Sequence, residues 1–136
     1  MPAPAEAAEA LGVAEGESVV QRRRRYLDDE GVVTVSTSWL PGDLAEAAPE
    51  LIVAEALPKM TFGLIEERTG RRAVRRRDVV ALKPVPDDIA PLLDAEAGTL
   101  ALTMTNQYWD QNGSSTECAI DFLGASRQLT AEYDLN

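Results

Sequence analysis

A 136-residue chain with net charge −10 and 45% apolar residues has the makeup of one globular domain, which excludes disorder and an evenly basic nucleic-acid surface. It has no histidine and a single cysteine, Cys118, so Ser-His-Asp triads, Cys-His pairs, histidine-ligated zinc and internal disulfides are closed to it. No apolar run approaches the roughly 18 residues that span a bilayer, and no charged-then-apolar leader opens the chain, so a cytoplasmic location without membrane contact is expected.

The Pro/Ala-rich start sets residues 1–10 apart as a flexible lead or linker remnant, with the domain proper over 11–136. Within the lead, Glu6 to Leu11 reads as helix, stopped by Gly12. Ser18 to Leu27 and Val32 to Leu40 form a first hairpin around Asp28-Asp29-Glu30-Gly31. Pro41-Gly42-Asp43 turns into a helical piece over Leu44 to Ala48. Thr61 to Arg68 is an amphipathic helix carrying Phe62, Leu64 and Ile65 on one side and closed by Gly70. Arg72 to Leu82 alternates as a strand. Pro86 with Asp87 or Asp88 starts a helix that runs to Leu93. Leu100 to Trp109 and Ser114 to Leu123 make a second hairpin around Asp110-Gln111-Asn112-Gly113, and Leu129 to Asp134 a closing strand. About six strands and three or four short helices define an α+β domain built on an antiparallel sheet.

The two hairpins read as related repeats. Leu11-x4-Gly16 recurs as Leu93-x4-Gly98, and Tyr26, Asp28, Gly31 and Leu40 find counterparts in Tyr108, Asp110, Gly113 and Phe122, all at an offset of 82. Charge is uneven as well. Ten of the 13 basic residues lie in Arg22 to Arg25 and Arg68 to Arg77. Gathered arginines in an acidic chain suit a local anion site, while most of them are expected to pair with carboxylates; DNA binding by this segment alone is not expected. Cys118 stands in an apolar stretch without a basic neighbour, the setting of a packed thiol. Tyr26, Trp39, Tyr108 and Trp109 are expected to pack the core, with one of them free to line a pocket.

The run Val20-Gln21-Arg22-Arg23-Arg24-Arg25-Tyr26-Leu27, followed by Asp29, Gly31 and Ser36-Thr37-Ser38-Trp39-Leu40-Pro41, resembles the UTRA domain of GntR-type regulators of the HutC subgroup. Leu64-Ile65-Glu66-Glu67 with Gly70, the Pro86 to Gly98 stretch, Glu117, and Arg127 leading to Glu132-Tyr133-Asp134 continue the likeness over nearly the whole chain. The resemblance implies a chorismate-lyase-like fold: an antiparallel sheet, helices on it, and a pocket between. It implies sensing of a small effector, a homodimer, and DNA contact only through an N-terminal winged helix-turn-helix. The present chain starts ten residues before Leu11, so it is either a domain cut from a longer regulator or one that stands alone in nature.

Strand alternation puts Arg22, Arg24 and Tyr26 on one face and Arg23, Arg25 and Leu27 on the other. By resemblance, Arg24 falls on a position that grips the anionic part of the effector, and Tyr26 replaces a second such arginine. Arg24 and Arg22 are therefore the expected carboxylate or phosphate contacts, and Arg23 and Arg25 are expected to pair at the surface. Ser36 and Ser38 share a face of the partner strand; a family carboxylate near Ser36 is missing, which argues against a sugar phosphate. Thr61 keeps the hydroxyl that the family offers at the start of the middle helix, with Met60 and Phe62 as pocket wall or core. Glu117 matches a family acid that touches ligand, and Arg76 reaches the pocket from the third strand. These departures point to a carboxylate on an apolar body. No metal, cofactor or catalytic residue is expected. Two alternatives stay open: a lyase-like enzyme in which Glu117 with a raised pKa acts as acid or base, and a ligand-free dimerisation module.

Overall fold

The computed structural model describes residues 1–57 and 59–135. In chain order these form α1 (Ala5–Leu11), β1 (Val19–Asp28), β2 (Gly31–Pro41), α2 (Leu44–Ala47), a 3-10 turn (Pro49–Ile52), α3 (Thr61–Thr69), β3 (Ala73–Pro84), α4 (Ala90–Leu93), β4 (Leu100–Asp110) and β5 (Ser115–Leu123). The strands build one antiparallel sheet in the order β1-β2-β5-β4-β3.

Turn chemistry fixes the two hairpins. At the first, the Asp28 carboxylate accepts the Glu30 N–H at 2.9 Å and Gly31 takes a φ of 113°. At the second, Asp110 accepts the N–H groups of Asn112 and Ser114 at 2.9 and 3.0 Å, and Arg71 donates to its other oxygen at 2.8 Å. Burial pushes the Asp110 carboxyl up, but these bonds outweigh it and hold the group below the ordinary carboxylate range. Both hairpins shift register just after their tyrosine, at Tyr26/Leu27 and Tyr108/Trp109. Helix α3 ends at Gly70, whose left-handed φ of 75° lets its N–H reach the Glu66 carbonyl at 2.8 Å.

Alternation sends the two faces of the sheet to different work. One face packs Val35 and Phe122 against Val85, Ile89, Ala90 and Leu93, and Val19 and Cys118 against Ala3, Ala8 and Leu11. On the other face the buried apolar cluster gathers at one end, where Val20 and Leu40 meet Leu44, Ala48, Leu51, Leu64 and Ile65. Each fully buried Leu or Val there contributes about 1.5–3 kcal/mol. That cluster seats α2, the 3-10 turn and α3 above the sheet and leaves the rest of the face open beneath them.

Several expectations change. Five strands form among the described residues, where six were expected. Residues 129–134 make no ladder within the described chain, and Leu129, Tyr133 and Leu135 stay exposed. Alternation selects a face but supplies no partner, and the chain leaves the sheet at Gly124, where a Cβ would stand 2.1 Å from the Val32 carbonyl oxygen. Arg127 then pins the tail start to Asp28 at 2.6 Å. The helix expected from Asp87 or Asp88 is only Ala90–Leu93 without a side-chain cap, because Asp88 pairs with Arg23 at 3.1 Å. Residues 1–10, set apart by composition, pack here: Ala3, Ala7 and Ala8 are buried, and Met1 exchanges backbone bonds with Val19 at 2.7 Å each way. No helix is long and apolar enough to cross a membrane, among the described residues.

Candidate functional site

The open part of the sheet face is the floor of a cavity of about 1180 Å³. The register defines it strand by strand: Arg22, Arg24 and Tyr26 on β1; Thr34, Ser36 and Ser38 on β2; Glu117, Ala119 and Asp121 on β5; Met104, Asn106 and Tyr108 on β4; Arg76 on β3. Residues 51–57 and the start of α3, with Met60, Thr61 and Phe62, form the roof. All nine residues singled out from the sequence line this one space.

They do so in different states. Arg22 is buried, and its terminal nitrogens donate to the carbonyls of Glu50, Leu51, Val53 and Glu55 at 3.2, 2.8, 2.9 and 3.0 Å. Its guanidinium is a rivet between floor and roof, not a free anion contact. Arg24 is less engaged: one long bond of 3.5 Å runs to the Ser38 hydroxyl, and its buried Nε has no partner among the described residues. Arg23 and Arg25 lead away, to Asp88 and to the Leu92 carbonyl (2.7 Å), as the alternation requires.

At the other side, Arg76 lies over the Tyr108 ring at 5.2 Å and donates to Asp78 at 2.7 Å. Phe62 stacks on Tyr108 with centroids 5.7 Å apart, closing a wall between roof and floor. Tyr26 is half exposed at the rim. Thr61 is buried at the first turn of α3.

Glu117 is buried at 5% exposure. Burial pushes its carboxyl pKa up, against the opposing pull of the Ser38 hydroxyl, Arg24 and Arg76, and Asp121 adds to the rise. A raised acid favours its neutral form, so the fold is not penalised below the ordinary carboxyl pKa of about 4.3 and loses stability as pH climbs through the raised value. Glu117→Gln is expected to flatten that dependence and raise stability at pH 7, read as melting temperature between pH 4 and 8. A variant curve parallel to the wild type would show that Glu117 carries no such cost.

Cys118 points to the opposite face; burial, then Glu117, push its thiol pKa up, the state of an inert packed thiol. Trp39 stands against the α1 cluster and Trp109 beneath the Arg75 guanidinium at 4.5 Å. No cluster of metal-ligating side chains exists among the described residues. Sequence reasoning passed over Asn106, Asp121 and the 51–57 roof. The alternation Glu117-x-Ala119-x-Asp121 was the signal for Asp121, since it places both carboxylates on one face. Nothing local marked the roof.

The polar, charged face of the sheet under a strap and a helix encloses a cavity large enough for a small molecule. The UTRA domain family matches residues 1–128, and the chain belongs to that family. Among solved structures it is similar to the ligand-binding domain of a protein from Bordetella bronchiseptica described as a GntR-family transcriptional regulator, at 28% identity and a TM-score of 0.73 over 99% of this chain and 85% of that one. It is also similar to PhnF from Mycobacterium smegmatis, at 25% identity and a TM-score of 0.74, spanning 100% of this chain and 59% of PhnF. The C-terminal domain of Yurk from Bacillus subtilis shares the fold at 16% identity, with a TM-score of 0.77 over 93% of this chain and 84% of that one. No curated protein matches the sequence.

Proposed function

We propose that the chain is the effector-sensing domain of a GntR-type transcription regulator of the HutC subgroup, cytoplasmic and non-catalytic, which binds a small molecule bearing an anionic group. The observation that carries this reading is Arg24: a guanidinium with an unpartnered buried Nε on the floor of a roofed cavity. Its one bond, to Ser38 at 3.5 Å, leaves most of a fork of donors suited to carboxylate or phosphate, whereas the terminal nitrogens of Arg22 are taken up by four carbonyls. Arg22, two residues away on the same face, adds a second positive charge that an anion would offset. DNA contact belongs to a winged helix-turn-helix elsewhere in the regulator. Binding contacts between roof and floor would favour one arrangement of the strap, and that differential affinity is what a regulator can transmit.

We read the regulator as a homodimer whose halves meet along β3. Among the described residues this edge strand pairs with β4 alone, and it exposes Val79, Val80 and Leu82. Light scattering is expected to give a dimer for the wild type and a monomer for the Val80→Lys, Leu82→Lys pair; a monomeric wild type refutes the dimer. The two hairpins as copies of one unit are supported by their matching register shifts and by Gly16 and Gly98, at φ 87° and 86°.

A thermal-shift panel of carboxylates and phosphates tests the effector reading. A true ligand at 100 times its Kd adds about 2.7 kcal/mol to stability. Silence across the panel would refute it.

A second reading draws on Glu117. Its raised pKa beside Arg24 is also the setting of a lyase-type acid, and turnover of chorismate lost in Glu117→Gln would favour it.

A further inference from the structure

The cavity floor carries both signs of charge, and one of its charged groups has no use so far. Asp121 on β5 pairs in register with Ser36 on β2, and Ser36 pairs with Arg24 on β1. Arg24, Ser36 and Asp121 thus form one row across the floor, with the outer two separated by two strand spacings, about 10 Å between backbones. Asp121 is half-buried and makes no side-chain hydrogen bond or ion pair among the described residues; its charge is felt by Arg76, but the bond of that guanidinium goes to Asp78. The neighbouring carboxylates differ: Asp78 accepts from Arg76 at 2.7 Å, and Glu117 lies against Ser38.

Arg24 and Asp121 are therefore a cation and an anion that face the same space, stand in the same row and do not meet. An effector with only an anionic group would gain from Arg24 while bringing like charge toward Asp121. An effector whose second group donates to a carboxylate would satisfy both ends of the row. Resting on the effector reading above, we propose that the ligand is zwitterionic, its carboxylate on Arg24 and its ammonium on Asp121, and that Asp121 is the residue that selects it.

The geometry suits this class. Arg24 and Asp121 rise from the same face of the sheet with backbones about 10 Å apart, a span into which a single amino-acid head group fits. Its remaining atoms would extend toward Met104, Tyr108 and Phe62, the apolar and aromatic side of the cavity. This also assigns a role to a floor that is more polar than a carboxylate on an apolar body requires.

The experiment uses matched probes on the 136-residue chain: each proteinogenic L-amino acid, beside its deamino carboxylic acid and its decarboxylated amine. Calorimetric Kd values are taken for wild type, Asp121→Asn and Asp121→Ser. At least one amino acid is expected to bind ten-fold or more tighter than its own deamino acid. In both variants that preference is expected to fall below two-fold, with the deamino acids bound as well as before or better. Melting of the unliganded variants checks that they fold, and the wild-type ratio decides the ligand class even where one does not. Deamino acids that bind wild type as tightly as their amino acids, or a preference that survives in both variants, would overturn the inference and leave the effector reading intact. If no probe binds and the carboxylate and phosphate panel is also silent, both fall together.

Discussion

Arg22→Ala is expected to lower stability by about 3 kcal/mol and to open the roof of the cavity. Four carbonyls over Glu50 to Glu55 converge on this one guanidinium, the nearest at 2.8 Å. Hydrogen bonds to a charged group contribute about 1.5–3 kcal/mol each, and part of that is recovered here because the strap can turn its carbonyls to water. A loss of about 3 kcal/mol corresponds to a drop of roughly 10 °C in melting temperature for a domain of this size. Limited proteolysis should show new cleavage within residues 50–57, since the strap would lose its main polar tie to the sheet. Arg22→Lys keeps the charge but cannot reach four acceptors with one ammonium, so an intermediate loss is expected. Wild-type melting and proteolysis in Arg22→Ala would show that the strap holds by the Leu51 contacts alone.

The second large effect separates binding from folding. Arg24→Ala is expected to weaken an anionic effector about 100-fold, or about 2.7 kcal/mol, while melting of the unliganded protein changes little. The contrast with Arg22 follows from partners: Arg24 makes a single 3.5 Å bond to Ser38, so its removal leaves few groups stranded. Arg24→Lys should recover part of the affinity, because a point charge attracts the anion without the two-pronged geometry. The panel ligand that most stabilises the wild type supplies the Kd comparison. Equal affinity in Arg24→Ala would show that the anionic group of the effector does not rest on this guanidinium.

Two arginines two residues apart thus have different duties, and their sequence did not separate them. Period-2 alternation put both on one face correctly, and it sent Arg23 and Arg25 to the other, where they tie β1 to the α4 region through Asp88 and Leu92. What alternation cannot express is which backbone passes overhead. The strap that takes up Arg22 is nearly thirty residues away in the chain, brought there by Leu51 and Leu64 packing on Val20 and Leu40. Asp121 shows the opposite case. Its face was readable from Glu117, but its lack of a partner became visible only when Ser36 and Arg24 fell into its row. For residues 129–134 the alternation was real and the ladder was not, since a strand needs an edge to pair with as well as a pattern.

Composition, turn residues and spacing by themselves determined the class of domain, both hairpins, the arginine face of β1 and the set of residues from which a cavity could be lined. Those features are local, because Asp and Gly in a turn or alternation along a strand act through near neighbours. Tertiary structure decided how many strands pair, which guanidinium holds the roof and which is only lightly engaged, and that Asp121 shares a row of the floor with Arg24. Each of these depends on groups far apart in the chain whose distance only the packed sheet and its roof determine.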